Sequence, residues 1–255
     1  MEKFISSRDN KIVKQLISLQ KRSGRIKSSL FVAECKRICS EALLWSKNQI
    51  EFFVVSDTFW AENTPDLGGI DLYILPDDLF TKVCDTETPQ GILCVLKNSP
   101  DSSPLPSSDN ILILDGVSEP GNMGTILRTA DAMGFKDIYI MKGSADVYNP
   151  KVIRSTMGAV FRLNFHFEDS YDFTNILKNR GYKIITTALR NSVPLTDVEE
   201  NQKNAIVIGN EAIGVSDEMM DKSDIITKIE MAGNAESLNA AVAAGIVMYK
   251  FSKKR

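Results

Sequence analysis

Three short stretches hold residue types that can do chemistry, and each lies where an apolar strand pattern gives way to a helix pattern. The first runs from Asp115 through Gly-Val-Ser-Glu-Pro-Gly-Asn-Met-Gly-Thr-Ile-Leu to Arg128. A buried strand ends at Leu114, a Gly/Pro-rich turn follows, and a helix begins near Asn122, which can cap it. Such a turn brings backbone N–H groups and a helix N-terminus up to a bound group at the C-terminal edge of a sheet. Arg128 follows six residues later, about 9 Å along the helix axis. The second stretch is Ile208-Gly-Asn-Glu-Ala-Ile-Gly-Val-Ser216. Here Glu211 stands between Gly209 and Gly214, residues that let backbone approach a ligand. Ser216 then caps a helix with Asp217 and Glu218 in its first turn. The third stretch runs from Ile229 past Met231 to Ser237, Leu238 and Asn239, then into an Ala-Ala-Val-Ala-Ala-Gly helix with a flat face. Taken singly, the first two read more readily as an ordinary helix cap with a surface arginine and an ordinary strand-to-helix loop, and the last is a packing face as well as a ligand-binding one.

Several other chemistries lose their support. His166 is the only histidine, which removes Ser-His-Asp and Cys-His catalysis, and it sits in the alternating LNFHF run as a strand residue. The four cysteines (Cys35, Cys39, Cys84, Cys94) lack paired CxxC spacing and read as reduced, packed thiols, so no metal is expected. Cys35 and Cys39, four apart, are expected on one helix face. No GxGxxG follows the first strand and no GxxxxGK[ST] occurs, so NAD and ATP readings have no motif.

The elements that must position these residues form two groups. Before Lys97–Asn110, a Pro/Ser/Asp-rich stretch that reads as a linker, the patterns predict helices over 10–20, 36–47 and 77–82 and strands over 52–56, 72–75 and 91–96. After it they predict strands over 111–114, 137–141, 163–167, 182–188, 205–208 and 225–229. These alternate with helices over 122–133, 150–159, 171–179 and 237–251, as in a parallel sheet covered on both faces. The fold class expected is α/β: a small N-terminal α/β domain and a C-terminal domain on a mostly parallel sheet.

No run of 18 apolar residues and no secretory h-region is visible, so the expectation is a cytoplasmic protein with no membrane partner. The formal net charge is −3, yet residues 1–37 hold ten Lys/Arg against three acids, and residues 51–110 hold two against eleven. A basic arm on an acidic body suits a phosphate-binding end. Charge alone leaves a solvated amphipathic helix equally open. Arg8, Lys11, Lys14, Arg22, Arg25, Lys36 and Arg37 are the candidate RNA-binding residues of that arm.

The segments NMGTILRTADAMGF, IVIGNEAIGVSDE and IEMAGNAESLNAAVAAGI, in that order, resemble the three signature motifs of the SpoU/TrmH family of the SPOUT superfamily, over residues 111–252. ISSRDNKIVK, FVAE and TPQGILCV are similar to that family's L30e-like RNA-binding domain, which commonly has Gly where Cys35 stands. The resemblance implies a substrate-binding domain over 1–97, a linker over 98–110 and a methyltransferase domain over 111–255 with a trefoil knot, a rare threading. It implies S-adenosylmethionine as cofactor, held near Gly209, Gly214, Ile229, Met231, Ser237 and Leu238. It further implies a homodimer, and methylation of a ribose 2′-hydroxyl by Arg128 with Asn122, Glu211 and Asn239. Arg128 would act as a base or as an electrostatic clamp on the developing alkoxide. The substrate implied is RNA, 23S ribosomal RNA first and transfer RNA second. Base methylation on the same fold, or an RNA-binding protein without catalysis, are the competing readings.

Overall fold

The computed structural model describes residues 2–63, 65–98 and 105–252. Residues 99–104 of the expected linker lie outside the described residues. The chain forms two compact units, one of residues 2–98 with 146–161, the other of 105–145 with 162–252.

The first unit runs β1 (Glu2–Phe4), α1 (Lys11–Leu19), α2 (Arg22–Ser28), β2 (Leu30–Glu34), α3 (Lys36–Trp45), β3 (Ile50–Ser56), α4 (Asp57–Glu62), β4 (Leu72–Leu75), α5 (Asp77–Val83) and β5 (Ile92–Lys97). Its sheet has the order β1-β4-β3-β5-β2, parallel across β1-β4-β3 and antiparallel across β3-β5-β2. Asn10 caps α1, accepting from the Ile12 N–H at 2.9 Å. The helix turns Ile12, Val13, Leu16 and Leu19 onto Val32, Phe52, Val54, Leu93 and Val95 of the sheet. Each such side chain contributes about 1.5–3 kcal/mol when fully buried.

The predicted elements of this half are present, with shifted ends. The patterns did not flag β1, α2, β2 or α4 as elements, because they are short and partly polar and take their stability from packing. Cys35 does not share a helix face with Cys39. It stands before α3 at φ 84°, ψ 151°, a conformation nearly confined to glycine, while Cys39 is buried in the helix.

The second unit continues with β6 (Asn110–Asp115), α6 (Pro120–Met133) and β7 (Asp137–Met141). The next helix, α7 (Pro150–Thr156), belongs with its flanks to the first unit and packs on β2. Contacts distant in sequence hold it there: Asp146 takes two hydrogen bonds from the Arg25 guanidinium, at 3.0 and 2.6 Å, and the Tyr148 ring lies 4.7 Å from that of Phe31. The helix expected to reach Ala159 ends at Thr156, because Met157 turns left-handed at φ 51°.

There follow β8 (Asn164–Glu168), α8 (Phe173–Asn179), β9 (Lys183–Thr187), β10 (Val193–Pro194), β11 (Asn204–Gly209), α9 (Asp217–Asp221), β12 (Ile225–Lys228) and α10 (Ala240–Phe251). The strand order is β10-β12-β9-β11-β6-β7-β8, and every pairing is parallel. Strands buried on both faces need apolar side chains at every position, which is why ILIL, DIYIM and AIVI read as continuous runs. Ile111, Ile113, Tyr139, Ala205 and Val207 face Phe173, Leu177 and Met219 on one side. The alternate residues face the other way, where α10 packs on β11 and along α6.

Chain order reverses between β6 and β11, so a crevice opens at their C-terminal ends. His166 is the strand residue expected: it is buried in β8, 3.1 Å from Asp137, and stacks on Tyr139. Among the described residues no helix is long and apolar enough to cross a membrane.

Candidate active site

Asp115 and Gly209 are register partners at the ends of β6 and β11, and the first two chemical stretches leave the sheet side by side from them. After β11 the chain folds straight back over the strand end. Asn210 and Gly214 exchange two backbone hydrogen bonds of 3.0 Å, with Gly214 at φ 76°. A Cβ on Gly209 would sit 2.3 Å from the Val215 nitrogen and 2.4 Å from the Gly214 carbonyl carbon. Only glycine permits that approach of backbone to backbone.

Glu211 projects from this loop to the turn after β6. One of its oxygens accepts from the Ser118 N–H (3.1 Å) and hydroxyl (3.0 Å), the other from the Glu119 N–H (3.2 Å) and the Asn122 Nδ2 (2.9 Å). The carboxylate accepts only, so Asn122 must turn its NH2 toward it. That leaves the Asn122 Oδ1 to accept from the Asn239 Nδ2 at 2.9 Å. The Asn239 Oδ1 in turn caps α10, accepting from Ala241 and Val242 N–H at 2.9 and 3.3 Å. All three stretches are thus joined in one chain of hydrogen bonds whose direction is fixed from end to end. Partial burial would push the Glu211 carboxyl up, but the donors from Asn122, Ser118 and Glu119 outweigh it and hold it below its ordinary value.

Asn122 therefore does not cap its helix. Glu119 holds that position without a side-chain bond, with Pro120 in the first turn, and Asn122 lies within that turn facing Glu211. Asn239 and Ser216 do cap, Ser216 accepting from the Met219 N–H at 3.2 Å. Asn210 fixes the base of its loop, donating to the Gly116 carbonyl at 2.8 Å and accepting from Ala212 and Ile213 N–H.

Beside this chain lies a cavity of about 780 Å³ between the loops after β9, β11 and β12. Gly209, Gly214, Ile229, Met231, Ser237 and Leu238 all line it, as does Glu211. Its size is ordinary for a small-molecule site of about 300–1,000 Å³. Asn122 and Asn239 lie off its wall and reach it through Glu211. Arg128 joins neither group: it is exposed on α6 and has no hydrogen-bond or ion-pair partner among the described residues. Six residues at about 100° each turn it about 120° away from the Asn122 face. Among the described residues no cluster of three or more His, Cys, Asp or Glu is placed to hold a metal ion.

In the first unit Arg8, Lys11, Lys14, Arg22, Lys36 and Arg37 are exposed, Lys14 paired with Asp9 at 2.9 Å and the Lys36 ammonium 5.0 Å above the Phe59 ring. Arg25 departs from the expected exposed arm. It is 4% exposed, donates to the Leu19 and Gln20 carbonyls and to Asp146, and has no face left for phosphate. Its charge was visible in the sequence; the helix that turns it inward was not.

Sequence reasoning named neither Asn210 nor Ser118, and gave Asp115 no partner. A signal existed for Asp115 and Asn210, since each is the first polar residue after an apolar strand. None existed for Tyr171, whose hydroxyl reaches Asp115 across 56 positions at 2.7 Å.

Residues 109–249 match the model of the SpoU rRNA Methylase family, and residues 10–94 that of the MRM3-like substrate binding domain. The chain is 34% identical over 247 residues to a Bacillus subtilis protein named 23S rRNA (guanosine(2553)-2′-O)-methyltransferase RlmP, covering 97% of this chain and 98% of that one. Among solved structures it is similar to an AdoMet-bound rRNA methyltransferase from Sinorhizobium meliloti, with TM-score 0.84 and 28% identity over 98% of this chain and 97% of that one. It is also similar to a putative RNA methyltransferase of the TrmH family from Porphyromonas gingivalis, with TM-score 0.81 and 28% identity over 94% and 96%.

Proposed function

Because the chain belongs to the SpoU rRNA methylase family, we propose that it methylates a ribose 2′-hydroxyl of RNA, in 23S ribosomal RNA, with S-adenosylmethionine as donor. One observation carries the reading: the cavity lined by Gly209, Ile229, Met231 and Leu238 adjoins the directed chain Glu211–Asn122–Asn239. The cofactor fits the donor set. Apolar Ile229, Met231 and Leu238 beside Gly209 suit a flat adenine, while Ser237 and Glu211 supply the polar contacts a ribose or an amino group needs. When bound, the group supplies an activated methyl on a sulfonium, so no metal need be invoked.

The chain's own residues orient and polarise. Asn122 is locked by Glu211 and Asn239 by Asn122, so both would stand in fixed orientation beside the incoming ribose; orientation of this kind is worth several kcal/mol. Arg128 keeps all its donors free. A guanidinium is protonated at neutral pH, so it serves most easily as a clamp that stabilises the developing alkoxide and grips the adjacent phosphate.

The direction in which Arg128 faces supports a homodimer in which it serves a site shared with a second copy. Val242, Ile246 and Tyr249, spaced i, i+4, i+7 on α10 and 52, 40 and 60% exposed, supply an apolar stripe for such a partner. The 1–97 domain with its exposed Lys and Arg would hold the RNA, residues 111–255 would carry the reaction, and the knotted threading of the latter belongs to the same reading. The site of action would be the cytoplasm, with the ribosomal RNA.

The test incubates purified protein with labelled S-adenosylmethionine and ribosomal or transfer RNA from cells lacking the gene, then separates the nucleosides by mass. Label in a 2′-O-methyl nucleoside of 23S RNA, lost with Arg128→Ala, is expected. Label on transfer RNA overturns the substrate, label on a base overturns the ribose assignment, and RNA binding without cofactor binding favours a non-catalytic protein.

A further inference from the structure

We propose that Tyr171 is a positioning residue for the cavity: its hydroxyl, held between Asp115 and Ser216, fixes where the loop 210–216 returns to the sheet and so how tightly a cofactor is gripped. The inference rests on reading the cavity as the cofactor site.

Asp115 ends β6 and is 5% exposed. One carboxylate oxygen accepts the Ser216 N–H at 2.8 Å and the other the Tyr171 O–H at 2.7 Å. The Ser216 hydroxyl donates to the Tyr171 oxygen at 2.8 Å and keeps a lone pair for the Met219 N–H. An ionised carboxylate accepts only, so Tyr171 must donate to Asp115 and Ser216 must donate to Tyr171. The three residues, closed through the Ser216 backbone N–H, form a ring with one allowed order of hydrogens. Burial pushes the Tyr171 phenol up to about 12, so it keeps the proton this order requires at neutral pH.

The ring sits behind a wall of the cavity. Val215 and Ser216 line it; Tyr171, in the segment between β8 and α8, does not. The loop has no slack, since the Val215 nitrogen and the Gly214 carbonyl rest on Gly209 closer than any Cβ would allow. A shift of Ser216 therefore moves Val215 and the wall with it. Asn210 and Glu211 tie the outgoing half of the loop to Gly116, Ser118 and Glu119. The returning half is tied through Asp115 and Tyr171. Without the phenol, Ser216 loses its side-chain acceptor and a buried carboxylate oxygen loses its donor.

The test uses the full chain. Tyr171→Phe keeps the ring, which packs against the core of this unit, and removes only the hydroxyl. The dissociation constant for S-adenosylmethionine is expected to rise about tenfold, the size of a lost hydrogen bond to a charged group. The cofactor KM should rise with it, more than kcat falls, while RNA affinity stays put. Ser216→Ala opens the same ring, so the double variant should bind cofactor little worse than the weaker single variant. A fall in Tm with an unchanged cofactor dissociation constant, or fully additive losses, overturns the proposal. If the parent protein binds no S-adenosylmethionine, the reading of the cavity fails and takes this inference with it. If the parent binds and Tyr171→Phe binds equally well, this inference alone fails.

Discussion

At the strand ends of the seven-stranded unit, Asp115, Ser118, Asn122, Asn210, Glu211 and Asn239 are tied to one another or to backbone. In the five-stranded unit, Arg8, Lys11, Arg22, Lys36 and Arg37 stand exposed. The contrast follows the task proposed for each. A methyl transfer fails when a group is misplaced by about 1 Å, so its residues need fixed rotamers and directed hydrogen bonds. Attraction to phosphate reaches about a Debye length, ~10 Å at 0.1 M salt, so long, solvated side chains suffice. Arg25 crosses the division: a basic residue of the first unit that is as firmly held as any in the second.

The sharpest challenge to this contrast is Arg25→Ala. It strands the half-buried Asp146 without its partner and should cost about 3 kcal/mol. Denaturant melts check it, while RNA affinity of the folded fraction should not move. If RNA binding fell without loss of stability, Arg25 would be a phosphate contact after all.

Glu211→Gln comes next. It places an NH2 against Ser118 or Asn122 donors and breaks the direction of the chain, so methyl transfer should drop about 100-fold with little change in Tm. The parent protein carries a pH signature of the same group. Its folded pKa lies below the ordinary 4.5, so the carboxylate's contribution is complete above that value and is lost as pH falls through the lower one. Rates measured at saturating substrate from pH 6 downward should show that loss in the parent and not in the Gln variant.

Cys35→Gly is a smaller effect of opposite sign. At φ 84° a Cβ is strained, and its removal should raise stability by about 1 kcal/mol, read as a higher denaturation midpoint. Smallest of all, Lys36→Ala or Arg37→Ala should weaken RNA binding about threefold, lower the salt slope by about one unit and leave Tm unchanged. A tenfold or larger loss from either one would mean that the first unit also uses fixed, directional contacts.

Much of this was legible beforehand, for identifiable reasons. ILIL, DIYIM and AIVI were readable as strands because a parallel sheet covered on both faces demands apolar residues at each position. Ser216 was readable at a helix start because capping is a local matter of one side chain and the next two or three N–H groups, whereas the helix expected from Ser237 begins only after Asn239, which caps it. Asn122 was misread as a cap by the same logic. Glu119 and Pro120 already start the helix, and the carboxylate that claims Asn122 lies 89 positions away. A helix over 150–159 was readable; its packing against β2 was not, because that depends on an ion pair across 121 positions.

The sequence by itself determined the two groups of elements, the three loops that carry polar residues out of the second sheet, and the surplus of positive charge near the N-terminus. These are periodicities and compositions, and they act over a few residues. Only the tertiary structure decided that Glu211 orients both asparagines, that Arg25 is buried, that Arg128 turns away from Asn122 and that Tyr171 braces the cavity. Each of these depends on which strand ends lie side by side. That is fixed by burying the two sheets against their helices, and no spacing along the chain encodes it.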